Sequence, residues 1–300
     1  MPIDPTNPAP LPRFTFLGTG TSSGVPMIGC SCPVCTSTDP RDARLRTAAA
    51  LEFRDAKGRD RTVLLDAGPD LRVQALRAGL RRCDAIVFTH NHVDHTFGLD
   101  EVRRFNAVQK TPIELHADAH TMEHLRRVYG HIFDRHANVN DSFVADLAPR
   151  IVTEDEIERA APIDLWGARF TPVPLLHGRQ RVLGWRIDFE AGLADGGHDA
   201  DAAGDEGSGG VFPLAYCTDV SAIPPESWKR LIGLKTLVLD ALRHRKHPTH
   251  LTLEQAVNIA ANVGAHRTYF VHMTHDLAHE ETQRSLPEGM FLSRDGLVLV

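Results

Sequence analysis

The sequence predicts an α/β protein. Short runs rich in β-branched, leucine and aromatic residues alternate with segments of helical spacing, and several of these runs end on a histidine or an aspartate. No internal repeat and no break in composition divide the chain. Because alternating strands and helices form layers around one core, residues 13–300 are expected to form a single domain.

The predicted elements follow in order from apolar runs and turn residues. Strands are expected where short apolar runs lie between turn signals: Arg13–Leu17, Ala48–Phe53, Thr62–Asp66, Ala85–Thr89, Ile113–His116, Phe170–Val173, Leu183–Phe189, Leu214–Cys217, Thr236–Leu239 and Thr268–Val271. Helices are expected over Asp70–Ala78, over Ala119–Tyr129, and from the capping box Thr252–Gln255 to Val263, with Gly264 as the stop. The Ala85–Thr89 run is continuously apolar, as in a buried strand, and leads directly to His90.

Two segments lack the composition of packed structure. Residues 1–12 contain five prolines and no long apolar stretch, which predicts a flexible leader and not a signal peptide. Residues 190–210 are rich in Gly, Asp and Ala, which predicts a mobile loop between two strands.

Charge and cysteine content narrow the class of partner. The chain has 33 Lys and Arg against 39 Asp and Glu, which gives a formal net charge of -6. This negative charge argues against a protein whose main function is to bind nucleic acid. A small phosphorylated substrate fits, because bound metal ions supply local positive charge. The sequence contains no apolar stretch of about 18 residues, so no membrane-spanning helix is predicted. Five cysteines, three of them within six positions, differ from a secreted disulfide framework and indicate a cytoplasmic setting.

The strongest motif is His90-Asn-His92-Val-Asp94-His95, directly after a predicted buried strand. Residues two apart in an extended segment point the same way, so His90 and His92 can reach one ion together. Asp94 and His95 follow where the chain turns, and they are expected to face a neighbouring position. Three clustered histidines at a strand exit have no packing rationale, so the pattern favours a metal site over a solvated polar turn.

Further ligands are expected at the ends of later strands, because a metal ion needs several side chains held by rigid elements. His177, Asp219 and His272 each follow a predicted strand. Each alone would be ambiguous, since a single histidine after a strand is more often a loop residue. Together with the first motif they predict one shared centre.

This series, HxHxDH followed by His, Asp and His after successive strands, resembles the ligand series of the metallo-β-lactamase superfamily. The resemblance covers the chain from about Arg13 to its end. It implies an αββα sandwich, in which two mixed β-sheets pack face to face with helices on the outer faces. It also implies two sites that share a bridging Asp219, with the remaining ligands divided as follows: His90, His92 and His177 in site one, and Asp94, His95 and His272 in site two.

The charge of such a centre is small: two divalent ions, two carboxylate ligands and a bridging hydroxide together carry about +1. Ions about 3.5–4 Å apart can hold that hydroxide as a nucleophile at neutral pH. The mixed nitrogen and oxygen ligands suit Zn, Mn or Fe, and the expected pair is Mn or Zn.

A second motif is Cys30-Ser-Cys32-Pro-Val-Cys35. Three thiolates nearly fill a tetrahedral zinc site and need a fourth ligand. With the preceding Gly-rich turn, this motif resembles the PhnP-like phosphodiesterase branch, and that resemblance implies His275 as the fourth ligand of a structural zinc. A redox-active trio and plain buried thiols are the alternatives. The other two cysteines, Cys83 and Cys217, are predicted to be core residues.

Residues beyond the metal ligands are predicted to act on the substrate. The resemblance gives His250 a role at the scissile phosphate, either as general acid to the leaving alkoxide or as a phosphate hydrogen-bond donor, with His247 as second choice. A surface histidine that caps a helix is the alternative. Arg103 is a candidate phosphate contact and equally a surface residue. His120 and His124 are one helical turn apart and are expected to lie on a solvated helix face, with a shared metal ion as the alternative.

The PhnP-like resemblance implies a metal-dependent phosphodiesterase for a small or cyclic phosphodiester, of which 5-phosphoribosyl 1,2-cyclic phosphate is the branch's example, and a homodimer. Other hydrolases of this fold are the first alternative, namely a lactonase, a thioesterase or a transfer-RNA 3′-end nuclease. A thioesterase would need an added helical domain and the nuclease a basic arm, and neither is evident. A non-hydrolytic PqqB-like protein is the second alternative, and the intact HxHxDH motif argues against it.

Overall fold

The protein is described by a computed structural model that covers residues 12–139, 142–189 and 210–300. The flexible leader predicted at residues 1–12 lies outside the described residues except for Pro12, as does the mobile loop predicted at 190–210 except for Gly210. In the described ranges, no helix has both the length and the apolar character needed to cross a membrane.

The described chain forms fourteen strands, numbered here in chain order: β1 (Arg13–Gly18), β2 (Ala48–Arg54), β3 (Asp60–Leu65), β4 (Ala85–Val87), β5 (Ile113–Asp118), β6 (Leu147–Val152), β7 (Ile163–Leu165), β8 (Ala168–His177), β9 (Gln180–Phe189), β10 (Leu214–Cys217), β11 (Thr236–Asp240), β12 (Arg267–Val271), β13 (Met290–Leu292) and β14 (Val298–Leu299).

The α-helices of the same residues are α1 (Leu71–Arg77), α2 (Val93–Thr96), α3 (Arg103–Gln109), α4 (Ala119–Val128), α5 (Gly130–Phe133), α6 (Glu154–Arg159), α7 (Pro225–Trp228), α8 (Leu253–Val263) and α9 (His279–Ser285). Short 3-10 turns occur at Pro40–Asp42, Leu99–Val102, Arg135–Ala137 and Lys229–Leu231.

The strands form two mixed sheets of seven strands each within the described ranges. The first has the order β14-β1-β2-β3-β4-β5-β6, and the second has the order β13-β12-β11-β10-β9-β8-β7. Counted from β14 in the first sheet and from β7 in the second, three antiparallel pairings are followed by three parallel pairings. The two sheets therefore repeat one pairing pattern.

Side-chain alternation along the strands builds the layers. In β2, Leu51 and Phe53 pack into a cluster shared with residues of the second sheet, whereas Ala48 and Ala50 pack into a separate cluster on the other face of their sheet. A third cluster joins the outer face of the second sheet to α8. Because successive strand residues point to opposite faces, each sheet has one face in the shared core and one face covered by helices. The predicted αββα sandwich is confirmed.

Most predicted elements are present, and the α8 prediction is correct in detail. The Thr252 side chain accepts from the Gln255 amide, the Gln255 side chain accepts from the Thr252 amide, and Gly264 ends the helix at φ 66°. Four strands, β6, β7, β13 and β14, were not predicted from the sequence. β8 is longer than predicted, because it continues through Pro172 and Pro174 where the sequence predicted an end at Val173. β7 pairs with β8 only as far as Phe170, so both prolines lie where this side of β8 is an open sheet edge, which proline tolerates.

Candidate metal centre

The first group of candidate ligands lies on the loop and short helix after β4, a buried strand paired in parallel with β3 and β5. His90, Asp94 and His95 are buried and His92, which precedes α2, is half-buried. The ring centroid of His90 lies 4.6 Å from that of His92 and 4.4 Å from that of His95. Gly68 permits this packing, because a Cβ at that position would lie 2.0 Å from the Asp94 carbonyl oxygen.

The second group comes from the other sheet. His177 is the last residue of β8. Asp219 lies two residues after β10, and His272 directly follows β12. All three side chains are buried. The ring centroid of His177 is 5.0 Å from that of His92. The His272 ring stacks on His95 at 6.0 Å. The edges of the two sheets thus bring together every ligand candidate of the HxHxDH series.

Asp219 lies between two sets of ring nitrogens. Its Oδ1 atom is 3.9 Å from His90 Nε2 and 3.3 Å from His272 Nε2. Its Oδ2 atom is 3.1 Å from His95 Nε2. Within each of two sets, the candidate ligand atoms lie within 4.8 Å of one another: His90, His92, His177 and Asp219 in one set, and Asp94, His95 and His272 in the other. This geometry gathers two groups of candidate metal ligands, with one carboxylate close to ring nitrogens of both groups.

Hydrogen bonds fix the orientation of three of these imidazoles. Each holds its Nδ1 atom against a protein oxygen: His90 against the Thr89 hydroxyl at 2.9 Å, His95 against the Asp66 carboxylate at 2.7 Å, and His177 against the Thr249 carbonyl at 2.7 Å. When Nδ1 donates in this way, the neutral ring leaves its Nε2 lone pair available for a cation.

The buried Nε2 atoms fit a metal ion. Those of His90, His95 and His272 form no hydrogen bond within the described ranges, and the nearest groups to the last two are the carboxylates of Asp94 and Asp219, at 3.1–3.7 Å. A buried nitrogen left without a partner costs about 1–3 kcal/mol, and His90 Nε2 is such an atom. Divalent cations bound by the two sets would satisfy all three, and a donor set of imidazole nitrogen and carboxylate oxygen suits Zn or Mn.

Asp66 is a site residue that the sequence pattern did not single out. It is fully buried, and it accepts hydrogen bonds from the Thr89 amide at 2.8 Å, from the Thr89 hydroxyl at 2.9 Å and from His95. A signal was present, because Asp66 follows β3 directly, just as Asp219 follows β10 within two residues. Asp66, Asp219 and His272 also share left-handed φ values of 66°, 57° and 61°. Such strained residues cluster at functional sites.

Burial sets the charge of the first ligand set. It lowers the pKa of three histidines, namely His90, His92 and His177, and for His90 the decrease is large. Lowered pKa values keep these imidazoles neutral near neutral pH, and neutral imidazole is the form that binds metal.

Charges outweigh burial in the second ligand set. Burial lowers the pKa of His95 and His272, but the carboxylates of Asp219 and Asp94 outweigh it and raise both values. Burial alone would raise the pKa of Asp219, but the neighbouring His272 and His95 hold that pKa well below its ordinary value. Without metal, these groups therefore form a buried network of imidazolium and carboxylate, in which cations can replace protons.

His250 lies beside this network. Its ring stacks on His272 with centroids 4.6 Å apart, and its centroid is 4.5 Å from that of His177. A ligand atom of His250 also lies within 4.8 Å of ligand atoms on Asp219 and His272, so its position suits either a ligand or a group that acts on the substrate. His250 Nδ1 donates to Asp240 Oδ2 at 2.8 Å.

Asp240 is the second residue that the sequence pattern did not single out. It ends β11, is fully buried, and also accepts from the Val220 amide at 2.8 Å. An aspartate at the end of an apolar strand was again the available signal.

The three cysteines of the C-x-C-x2-C motif surround His275. The distances from His275 Nδ1 are 3.2 Å to Cys30 Sγ, 3.4 Å to Cys32 Sγ and 3.4 Å to Cys35 Sγ. A hydrogen bond from the Cys35 amide lowers the pKa of Cys32, which favours the thiolate that binds metal. Four such ligands around one point suit a tetrahedral zinc ion.

The remaining cysteines, Cys83 and Cys217, are fully buried, as predicted.

The remaining candidate residues, His247, Arg103, His120 and His124, lie at different distances from the ligand clusters. His247 lies near His250, with ring centroids 5.2 Å apart. Arg103 forms an ion pair with Asp100 at 2.8 Å, and in the described residues no hydrogen bond or ion pair joins it to the ligand clusters. His120 is exposed, whereas His124 is half-buried and stacks on Phe97 at 6.5 Å.

Comparison with known proteins agrees with this geometry. Residues 61–273 match the family model described as the beta-lactamase superfamily domain. A solved structure described as a new diphosphatase from the PhnP family is 40% identical, has a TM-score of 0.78, and aligns over 96% of each chain.

Two curated relatives are more distant. An octanoyltransferase of Porphyromonas gingivalis is 29% identical over 95% of this chain, and the chain spans only 51% of its length. Coenzyme PQQ synthesis protein B of Methylobacterium nodulans is 26% identical over 75% of this chain and 71% of its own length.

The two-sheet sandwich and the histidine and carboxylate sets at its edge define a metal-binding hydrolase of the metallo-β-lactamase class. Within that superfamily, the chain belongs to the PhnP family.

Proposed function

We propose that this protein is a metal-dependent phosphodiesterase that hydrolyses a small or cyclic phosphodiester. The observation that carries the proposal is Asp219, which lies within 4 Å of ring nitrogens from both ligand sets. A shared carboxylate between two sets of ligands suits a pair of ions that clamps an in-line displacement at phosphorus. The diphosphatase described for the PhnP-family structure supports chemistry at phosphorus.

The proposed ligand assignment follows the two sets. His90, His92 and His177 hold one ion, and Asp94, His95 and His272 hold the other, with Asp219 between them. When bound, the two cations supply an activated water and neutralise charge on the phosphoryl group. Mn and Zn are the proposed ions. Asp66 and Thr89 orient the imidazoles that carry the ligand nitrogens, a function that commonly affects metal affinity about 10- to 100-fold.

His250 is the proposed general acid. Its ring is anchored through Nδ1 by the buried carboxylate of Asp240, so Nε2 is the atom left to donate. Stacking on His272 keeps that atom beside the ligand sets. A proton held here can pass to the leaving alkoxide, which is a poor leaving group without one. Asp240 acts through His250 and is a positioning residue.

A second, structural role is proposed for the cysteine cluster. A zinc ion bound by Cys30, Cys32, Cys35 and His275 would join the N-terminal segment to the loop that follows His272. Because His275 is three residues from His272, this ion would also hold one ligand of the active centre in place.

The first test compares bis(4-nitrophenyl) phosphate with 4-nitrophenyl phosphate, using purified protein loaded with Mn or Zn. The expected result is clear hydrolysis of the diester, little hydrolysis of the monoester, and no hydrolysis by the Asp94→Ala variant. A protein with filled metal sites that cleaves neither compound would contradict the proposal and favour lactone or thioester hydrolysis.

The homodimer, the cytoplasmic location and the single domain over residues 13–300 stay predictions.

A further inference from the structure

Arg44 is a fully buried arginine in the segment before β2. Its side chain has 0% of its surface exposed. A guanidinium keeps its positive charge in proteins, and such a charge is rarely buried unless it is paired. Arg44 is not a ligand candidate, so the groups that it contacts show what the buried charge does.

The guanidinium joins two carbonyl oxygens of the loop after β12. Arg44 Nη1 donates to the Thr274 carbonyl at 2.7 Å, and Nη2 donates to the Leu277 carbonyl at 2.6 Å. Thr274 stands between His272 and His275 in the sequence, and Leu277 stands two positions after His275. The two hydrogen bonds therefore bracket one ligand candidate of the cysteine cluster and begin two residues after a ligand candidate of the active centre.

A carboxylate completes the surroundings of this guanidinium. Asp42 Oδ1 lies 3.5 Å from Arg44 Nη2 and accepts from the His279 amide at 2.8 Å. Hydrogen bonds from a charged donor are roughly twice as strong as neutral ones. The loop after β12 is thus held at two carbonyls by a charged group, and the start of α9 is held by the carboxylate that pairs with it.

The main chain of Arg44 contacts a different segment. Its amide donates to the Val25 carbonyl at 2.7 Å, and the Val25 amide donates to the Arg44 carbonyl at 2.8 Å. Val25 stands five positions before Cys30. Gly20 permits the close approach, because a Cβ at that position would lie 2.9 Å from Arg44 Cβ. One residue therefore connects the segment that leads to the cysteines with the loop that carries His275.

We propose that Arg44 is a positioning residue for both metal sites, which holds the loop of His272 and His275 in place before a metal ion binds. His272 has a left-handed φ of 61°, a strained conformation that persists only where the surroundings hold it. Ligands that are already ordered lose less conformational freedom on binding, so the metal binds more tightly. The inference rests on the proposed ligand roles of His272 and His275 and does not depend on which bond is hydrolysed.

The test replaces one buried arginine and compares it with another. Arg44→Lys keeps the positive charge but loses the planar pair of donors that reaches both carbonyls. Arg230→Lys is the matched control, because Arg230 is also buried and donates to two carbonyls, those of Pro172 at 2.6 Å and Glu158 at 3.1 Å. Neither of these is a ligand candidate, so the control reports the purely structural effect of the same change.

Metal affinity is the readout, and it needs no turnover. Both variants are expected to lose several degrees of Tm. Only Arg44→Lys is expected to bind Mn in the active centre about tenfold more weakly in chelator competition, the lower end of the effect of residues that orient ligands. It is also expected to release zinc to 4-(2-pyridylazo)resorcinol about tenfold faster than wild-type protein.

The outcomes separate positioning from simple support of the fold. If Arg44→Lys keeps wild-type Mn affinity and zinc release, or if Arg230→Lys changes them as much, the proposal is wrong. Should Arg44→Lys not fold, Asp42→Asn replaces it, since it removes the charge that faces the guanidinium and keeps an oxygen for the His279 amide. That variant is expected to bind Mn about threefold more weakly, and unchanged affinity would overturn the proposal.

The same measurements distinguish this proposal from the proposed function. If wild-type protein binds no metal at either set of ligands, the ligand roles of His272 and His275 fail and the role of Arg44 fails with them. If metal binds but no diester is cleaved, the phosphodiesterase fails and the role of Arg44 stands.

Discussion

Asp240→Asn is expected to slow the cleavage of diesters with poor leaving groups about tenfold and to spare diesters with good ones. Asp240 Oδ2 accepts from both His250 Nδ1 and the Val220 amide at 2.8 Å. The oxygen of an asparagine can accept from the same two donors, so the variant keeps both contacts and loses the negative charge, while its NH2 group takes the place of Oδ1, which has no hydrogen-bond partner in the described residues. The side chain is fully buried, so water does not replace that charge.

The magnitude follows from the two kinds of hydrogen bond. A bond to a charged group contributes about 1.5–3 kcal/mol and a neutral one about 0.5–1.5 kcal/mol, so the change costs roughly 1–1.5 kcal/mol. A loss of about 1.4 kcal/mol in transition-state stabilisation is a tenfold loss in rate. His250→Ala removes the proposed acid altogether and is expected to cost about 10²–10⁴-fold on the same substrate.

The assay compares kcat for adenosine 2′,3′-cyclic phosphate, whose leaving group is an alkoxide, with kcat for bis(4-nitrophenyl) phosphate, whose aryloxide leaves without a proton. Metal content is measured for each variant. Asp60→Asn, the same change at an exposed ion pair with Arg54, is the control. Equal slowing of both substrates, or loss of bound metal in His250→Ala, would refute the general-acid role and favour a ligand or phosphate-binding role. Intact turnover in His250→Ala would refute any role.

Three further predictions concern metal binding. Asp66→Asn is expected to weaken binding about 10- to 100-fold in chelator competition, because it disturbs the anchor of His95, and unchanged affinity would contradict this role. Metal affinity is expected to rise with pH through the neutral range, because the carboxylates overcome burial and raise the pKa of His95 and His272, which must lose protons before they bind. Calorimetry in buffers of different ionisation enthalpy checks this release, and identical heats would exclude it. Cys35→Ser is expected to lose about one zinc per chain and several degrees of Tm, whereas the control Cys83→Ala is expected to keep its zinc. Full zinc content in Cys35→Ser would contradict zinc binding by the cysteine cluster.

The candidate ligands could be predicted because their signal is local. His90, His92, Asp94 and His95 stand within six positions after one apolar run, and no packing pattern requires that spacing. The three later candidates follow predicted strands, so the layout of a sheet edge already places them near one another.

Asp66 and Asp240 could not be assigned in the same way. Each follows or ends a strand, but its partner comes from elsewhere in the chain: His95 is 29 positions from Asp66, and His250 is 10 positions from Asp240. A buried aspartate at a strand end is compatible with a ligand, a hydrogen-bond anchor or a turn, and only the packed neighbours distinguish these roles. Arg103 is the opposite case. Its ion pair is with Asp100, only three positions away, and that pair was not predicted from the sequence.

The cysteine cluster has a consequence for the unfolded chain. Cys35 and His275 are 240 positions apart, so a zinc ion held by both would close a loop of about four-fifths of the 300 residues. Closing so large a loop removes conformational freedom from the unfolded ensemble, as a long-range disulfide does. Chelation is therefore expected to release the N-terminal segment from the C-terminal one as well as to stop turnover. Faster proteolytic cleavage near residues 24–36 would report that release separately.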